Sequence, residues 1–336
     1  MKDGGMIYRN LAETPDGFGP CAITIGNFDG VHCGHRQIIR RVIAAAREEG
    51  WKSAVLTFDP HPARLLSPGS APRLLTTVEE RARTILGQGI DEILILPFTR
   101  EIAALGPEDF VREILVDKLR ARAVLVGANF HFGKRASGDA AMLEELGDRF
   151  SFETDIIEPV VWRGRVISSS EIRRLIEAGD VSTGRRMLGR PYALHGAVVP
   201  GEGRGSKQTV PTLNLDTKAE VLPKNGVYVT QTRELAGQSA SGREWPSITN
   251  VGFRPTFDGH TRTIETYLLA PLDAEPPEEI SVEFLRWVRD ERKFENAEAL
   301  KAQILRDVNR AQTYLRRLDQ ATGGMRENLN MEEAGI

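Results

Sequence analysis

The chain is poor in the features that mark several large protein classes. Of its 336 residues only two are cysteine, Cys21 and Cys33, with no CxxC pair and no zinc-like spacing. That excludes a disulfide framework and a structural metal of the zinc-finger kind. No run of about 18 apolar residues is present to span a bilayer. The first residues lack the basic start, apolar stretch and small-residue cleavage site of a secretory signal. The 44 basic residues are balanced by 47 acidic ones, so no global field calls for nucleic acid or an anionic membrane. There is no internal repeat or low-complexity tract. The expectation is a cytoplasmic protein with neither nucleic-acid nor membrane partners, monomeric or weakly homo-oligomeric.

What is present divides in two. In the first half, short runs rich in Ile, Val and Leu (CAITIG at 21–26, SAVLTF at 53–58, DEILILPF at 91–98, ARAVLVG at 121–127) alternate with amphipathic stretches. The runs suit strands buried on both faces. The stretches HRQIIRRVIAAAREEG, TVEERARTILGQG and PEDFVREILVDKL carry apolar residues three and four apart, as helices do. This rhythm predicts an α/β domain with a doubly wound parallel sheet over residues 1–187, its ligands bound beyond the carboxyl ends of the strands. From 188 the runs are broken by Gly, Pro and Asn, which predicts a small antiparallel β-barrel over 188–318. An amphipathic helix at about 296–318 closes it, and a polar tail over 319–336 is expected to be disordered.

The segment GNFDGVHCGH, 26–35, stands where the first strand gives way to a helix. Gly26 allows tight backbone geometry, and Gly34 has no side chain to block a phosphate over the helix start. His32 and His35 add donors that can stabilise charge on a phosphoryl oxygen. Zinc is disfavoured because no third ligand accompanies the pair. TFDPHP (57–62) and GANFHFGKRASGD (127–139) follow other strands, the latter offering Asn129 as a polar contact. In ISSSEIRR a serine among 168–170 is either a helix cap or a ligand contact, and Arg173 can reach back toward a polyphosphate at the helix start.

GNFDGVHxGH, TFDPHP, GANFHFG and ISSSEIR, in this order, resemble the adenylyltransferase half of the bacterial bifunctional riboflavin kinase/FAD synthetases. The resemblance implies AMP transfer from ATP to FMN with release of pyrophosphate. It implies that His32 and His35 hold the ATP phosphates, with Gly26, Asn27, Phe28, Asp29 and Gly34 lining the nucleotide site. It further implies that Asn129 contacts substrate, and that Ser169, Ser170 and Arg173 contact phosphates.

In the second half, GEGRGSKQTVPTLNLD (201–216) joins a glycine-rich turn to a strand on which Thr212 and Asn214 share a face. It is not a Walker loop, since no GK[ST] follows. Hydroxyl and amide oxygens suit Mg²⁺, although a merely solvated strand face reads the same way. Glu265 sits in the apolar strand RTIETYLL beside Thr263 and Tyr267, as a base or as a surface residue. GRG…PTxN, LPKNGVYV, NVGFRPTF, the glutamate of IETYLL and RDERKF resemble the riboflavin kinase half of the same family. By that resemblance Gly203 and Gly205 lie against nucleotide phosphates, Thr212 and Asn214 bind Mg²⁺–ATP, and Glu265 activates the riboflavin 5′-hydroxyl. Three features depart from the family pattern: Thr209-Val210 before the Pro-Thr pair, Leu213 where alanine is usual, and APLDAEPPEEI after the glutamate strand. They leave open a barrel that only binds flavin; another HxGH nucleotidyltransferase is the remaining alternative.

Overall fold

The computed structural model describes residues 5–200, 212–235, 242–256, 259–273 and 275–333. They form two compact units: Met1–Ile172 with Met187–Gly189, and Arg173–Arg186 with Arg190–Ile336.

The first unit is built on six parallel strands, β1 (Met6–Tyr8), β2 (Cys21–Ile25), β3 (Lys52–Asp59), β4 (Glu92–Pro97), β5 (Ala121–Gly127) and β6 (Glu153–Ile157), in the order β1-β4-β3-β2-β5-β6. The four inner strands are those predicted. Every residue of β2 is buried, as expected of a strand covered on both faces. The two edge strands escaped the sequence: MIY is only three residues long, and ETDII begins with three polar ones. Strand order reverses at β2, so the chain leaving β2 opens onto the crevice where such sheets hold ligands.

Three helices matter for the site. Helix α1 (Cys33–Glu49) packs Ile39, Val42, Ile43 and Ala46 against the sheet and stops at Gly50, which turns left-handed at φ 70°. Helix α2 (Val78–Leu86) is phased by a capping box: Thr77 Oγ1 accepts from the Glu80 amide while Glu80 accepts from the Thr77 amide. That phase turns Arg81, Ala82 and Ile85 inward together. Helix α3 (Ser169–Glu177) is capped by Ser168, whose Oγ accepts from the Glu171 amide at 3.2 Å.

Helix α4 (Val181–Leu188), all but its last two residues in the second unit, precedes the six antiparallel strands of that unit. These are β7 (Tyr192–Val199), β8 (Thr212–Asp216), β9 (Gly226–Glu234), β10 (Glu244–Thr256), β11 (Gly259–Leu268) and β12 (Glu279–Arg289). They close as a barrel in the order β7-β8-β11-β10-β9-β12, with β12 pairing β7. Inside run hydroxyls rather than alkyl groups alone. Thr232, Ser247, Thr230, Thr249 and Thr266, fully buried, form a chain with successive O···O distances of 2.8, 2.8, 2.8 and 3.0 Å. The three inner hydroxyls, of Ser247, Thr230 and Thr249, have two partners each and the end ones, of Thr232 and Thr266, have one, which offsets the cost of burying them.

Val227, Val229, Ile248 and Leu285 on the outer wall pack with Ala311 of helix α5 (Ala297–Glu333), and Arg289 Nε anchors the helix on Asp307 at 2.9 Å. The helix continues past 318, where the sequence reading ended it. Residues 173–186, expected with the first domain, group with the second unit, where Ser182 Oγ donates to the Leu285 carbonyl and Gly179 abuts Trp287.

Candidate active sites

The loop leaving β2 is held in a conformation that its residues would not adopt unaided. Phe28 (φ 49°), Gly30 (φ 77°) and Val31 (φ 41°) all lie in the left-handed region. For a β-branched residue such as Val31 this is strained, and such strain persists only where the surroundings impose it. The surroundings are the segment 75–81. Asp29, 3 % exposed, turns its carboxylate inward to accept from the Leu75 amide (2.9 and 3.1 Å) and the Thr76 amide (3.2 Å). The Gly30 amide donates to Thr76 Oγ1 at 3.1 Å, and Arg81 donates to the Asn27 carbonyl. Asp29, expected against the nucleotide, is therefore a brace for the loop, because its oxygens are engaged by backbone amides.

The braced loop delivers His32 as the N-cap of α1. Its Nδ1 accepts from the His35 amide at 3.3 Å, so a neutral His32 carries its proton on Nε2. His35 stacks on it, with ring centroids 3.6 Å apart and planes 15° from parallel, and Phe28 meets His35 edge-on at 5.1 Å. Burial above all, then the nearby His32 and Arg81, hold the His35 imidazole well below its ordinary pKa, in the neutral form. Gly34 makes the stack possible: a Cβ there would stand 3.2 Å from two atoms of the His32 ring. Gly26 similarly faces the Phe28 ring, which a Cβ would approach to 3.2 Å.

The other sequence-marked segments converge unevenly. Asn129 is exposed just beyond β5, the strand beside β2. Ser169 does not present a free hydroxyl: its Oγ donates to the Asp29 carbonyl at 2.9 Å, bringing the start of α3 to the loop. Ser170 is exposed one residue further on. Arg173 belongs to the second unit. In TFDPHP, His61 caps the short helix Pro62–Leu66 through Nδ1, as a rigid turn would. The sequence reading missed Arg81. An arginine within an amphipathic stretch gives no hint of burial, and only the helix phase set at Thr77 turns it inward.

In the second unit the strand register does the gathering. Asn214 on β8 lies directly opposite Glu265 on β11, which lies opposite Asn250 on β10. The three form one row across adjacent strands, and opposed Cβ atoms in such pairs stand about 4.5–5.5 Å apart. Thr212, exposed, is opposite Tyr267 in the next row on the same face. A Cβ on Gly252 would strike the Glu291 carboxylate and come 3.1 Å from Asn250 Nδ2, so NVGFRPTF and RDERKF meet here. Asn250 entered the sequence reading only within a motif; its polar side chain at an alternating strand position was the available signal. Leu213, 4 % exposed, points the other way, opposite Thr266. That departure from the family pattern fills the barrel interior and leaves the polar face alone. Gly203 and Gly205, with Thr209-Val210, lie outside the described residues.

Among the described residues no helix is long and apolar enough to cross a membrane, and no three His, Cys, Asp or Glu gather to hold a metal. The donors around Asn214 are hydroxyl, amide and carboxylate oxygens, hard ligands of the kind Mg²⁺ accepts beside phosphate oxygens and water.

Comparison with known proteins accounts for both units. The family model for FAD synthetase matches residues 15–171, and that for riboflavin kinase matches residues 188–315. A bifunctional riboflavin kinase/FMN adenylyltransferase of Pseudomonas fluorescens is 35 % identical over 86 % of this chain and 91 % of its own. The protein of that name from Escherichia coli strain K12 is 32 % identical over 89 % and 93 %. A crystal structure described as a macrolide-efflux protein from Streptococcus pneumoniae superposes with a TM-score of 0.80 at 25 % identity, covering 92 % of this chain and 99 % of that one. With its FAD synthetase region ahead of its riboflavin kinase region, the chain belongs to the bifunctional riboflavin kinase/FMN adenylyltransferase family.

Proposed function

We propose that the two sites act in turn on one flavin: riboflavin is phosphorylated by ATP at the barrel, and the resulting FMN is adenylylated at the parallel sheet. The observation that carries the second step is the stacked His32–His35 pair at the N-terminus of α1, beyond the central strand. Exposed helix amides and imidazole N–H groups suit a polyphosphate. An oxygen of the FMN phosphate attacks the α-phosphorus of ATP, the bond to the β-phosphate oxygen breaks, and pyrophosphate leaves. The nucleophile is already ionised, so no general base is required; orientation and charge stabilisation carry the catalysis. Asn129 and Ser170 contact substrate at the rim, and Gly26, Asn27 and Phe28 shape the floor.

At the barrel, Glu265 accepts the proton of the ribityl 5′-hydroxyl as its oxygen attacks the γ-phosphorus, and ADP departs. Asn214 and Asn250, flanking it in one row, orient the carboxylate and the hydroxyl. Thr212 and Asn214 are the residues that would hold Mg²⁺ with the ATP phosphates, where the ion supplies charge neutralisation.

The test is to incubate the purified chain with riboflavin, Mg²⁺ and ATP and resolve the flavins by chromatography. FMN appearing first and FAD after it is expected. FAD from supplied FMN, with neither product from riboflavin, would make the barrel a flavin-binding module instead.

A further inference from the structure

Arg81 is a buried charge for which the reaction as described has no use. It is 1 % exposed, on the inward face of α2 between apolar neighbours. Its Nη1 donates to the Asn27 carbonyl and its Nη2 to the Phe58 carbonyl at 3.4 Å, while its Nε finds no partner. A guanidinium is charged in any protein setting, and an orphaned buried donor costs about 1–3 kcal/mol. Asp29, Asp59 and Glu79 offset the burial electrostatically without removing it. Folding alone would be served as well by an apolar side chain in a helix whose other inward residues are Ala82 and Ile85.

The placement of the two carbonyls gives the arginine a purpose. Asn27 and Phe58 stand at the exits of β2 and β3, neighbouring strands whose carboxyl ends face the nucleotide site. The Asn27 carbonyl also accepts from Thr57 Oγ1 at 3.4 Å. Immediately after Asn27 comes the strained run Phe28 to Val31, and immediately after that the histidine pair. Whatever fixes the Asn27 peptide therefore sets where His32 and His35 begin.

We propose that Arg81 is a positioning residue for adenylyl transfer: by bridging the Asn27 and Phe58 carbonyls from beneath, it fixes the 26–31 loop and with it the His32–His35 stack. The proposal rests on the assignment of that stack to the adenylyl-transfer site. A donor displaced by about 1 Å typically costs on the order of 10²-fold in rate, mostly in the chemical step.

The experiment uses the full chain carrying Arg81→Met, Arg81→Lys or Thr57→Val, with the His32→Ala/His35→Ala variant as reference. Each is assayed for FAD formation from FMN and for FMN formation from riboflavin, and the imidazole ¹H–¹⁵N resonances are recorded. For Arg81→Met the expected result is a kcat for FAD formation lower by about 10-fold or more, with the KM for ATP within about 3-fold and the histidine resonances shifted. Arg81→Lys should recover part of the loss, and Thr57→Val, which buries no new group, should lose about 2- to 3-fold in kcat. FMN formation should be unchanged in all three, reporting an intact second unit.

A wild-type kcat in Arg81→Met, or unshifted imidazole resonances, overturns the proposal while leaving the site assignment standing. If Arg81→Met disrupts the first unit, a wild-type kcat with unshifted imidazole resonances in Arg81→Lys, whose single ammonium lacks the two-pronged reach to both carbonyls, overturns it. FAD formation persisting in the double-histidine variant overturns the site assignment itself.

Discussion

The two sites of this chain are assembled by opposite means. In the sheet unit the residues proposed to act are neighbours in sequence, and the difficulty lies in the backbone between them. Phe28, Gly30 and Val31 adopt left-handed conformations that the 75–81 segment must enforce. In the barrel unit the backbone is ordinary strand, and the difficulty lies in distance along the chain. Asn214, Asn250 and Glu265 come from three separate strands and meet only through register. One site spends conformational strain and the other spends chain entropy, and the two should fail in different ways.

The largest expected effect breaks the comparison cleanly. His32→Ala with His35→Ala should lower FAD formation by about 10³-fold, in line with loss of preorganised donors, and leave FMN formation untouched. Glu265→Gln should do the reverse, lowering FMN formation by about 10²- to 10⁴-fold, as loss of a general base does. Separate assays from riboflavin and from FMN check both. A variant that slowed both reactions alike would contradict two independent sites.

A smaller effect concerns the barrel alone. Thr249→Val removes the hydroxyl that links Thr230 to Thr266 in the buried chain, taking from Thr266 its partner in the chain and leaving Thr230 with Ser247 alone. The expected cost is about 1–3 kcal/mol, seen as a lower denaturation midpoint of the second unit with the first unchanged. The smallest effect is a pH dependence confined to the sheet unit. The His35 pKa is depressed by burial below the ordinary 6.5. In the window below that value the unfolded chain binds a proton that the folded one refuses. Stability of the first unit should therefore fall as pH drops through 6.5, and His35→Asn should flatten that slope in urea titrations at several pH values.

The same contrast explains what the sequence disclosed. The inner strands, α1 and the barrel strands were legible because they carry period-2, period-3.6 or continuous apolar patterns over five or more residues. The contiguous motif at 26–35 was legible for the same reason: its chemistry and its spacing are local. Less legible were roles fixed by tertiary partners. Nothing in GNFDG distinguishes an aspartate that meets nucleotide from one that grips Leu75 and Thr76, and nothing in ISSSE reveals that Ser169 bonds the Asp29 carbonyl. Arg81 was invisible because burial of a charge runs against the pattern by which sequences are read. Asn250 was half visible, a polar residue at an alternating position whose importance depends on what stands across from it.

Closure of the barrel has a further consequence. With β12 joined to β7 each of the six barrel strands is paired on both sides, so none can slide without breaking bonds on both. A slip of one residue along β11 would put Thr266 in place of Glu265 opposite Asn214. The ladder that holds the fold is thus also the ruler that spaces carboxylate from amide, and denaturant should extinguish phosphorylation and strand structure at one and the same concentration.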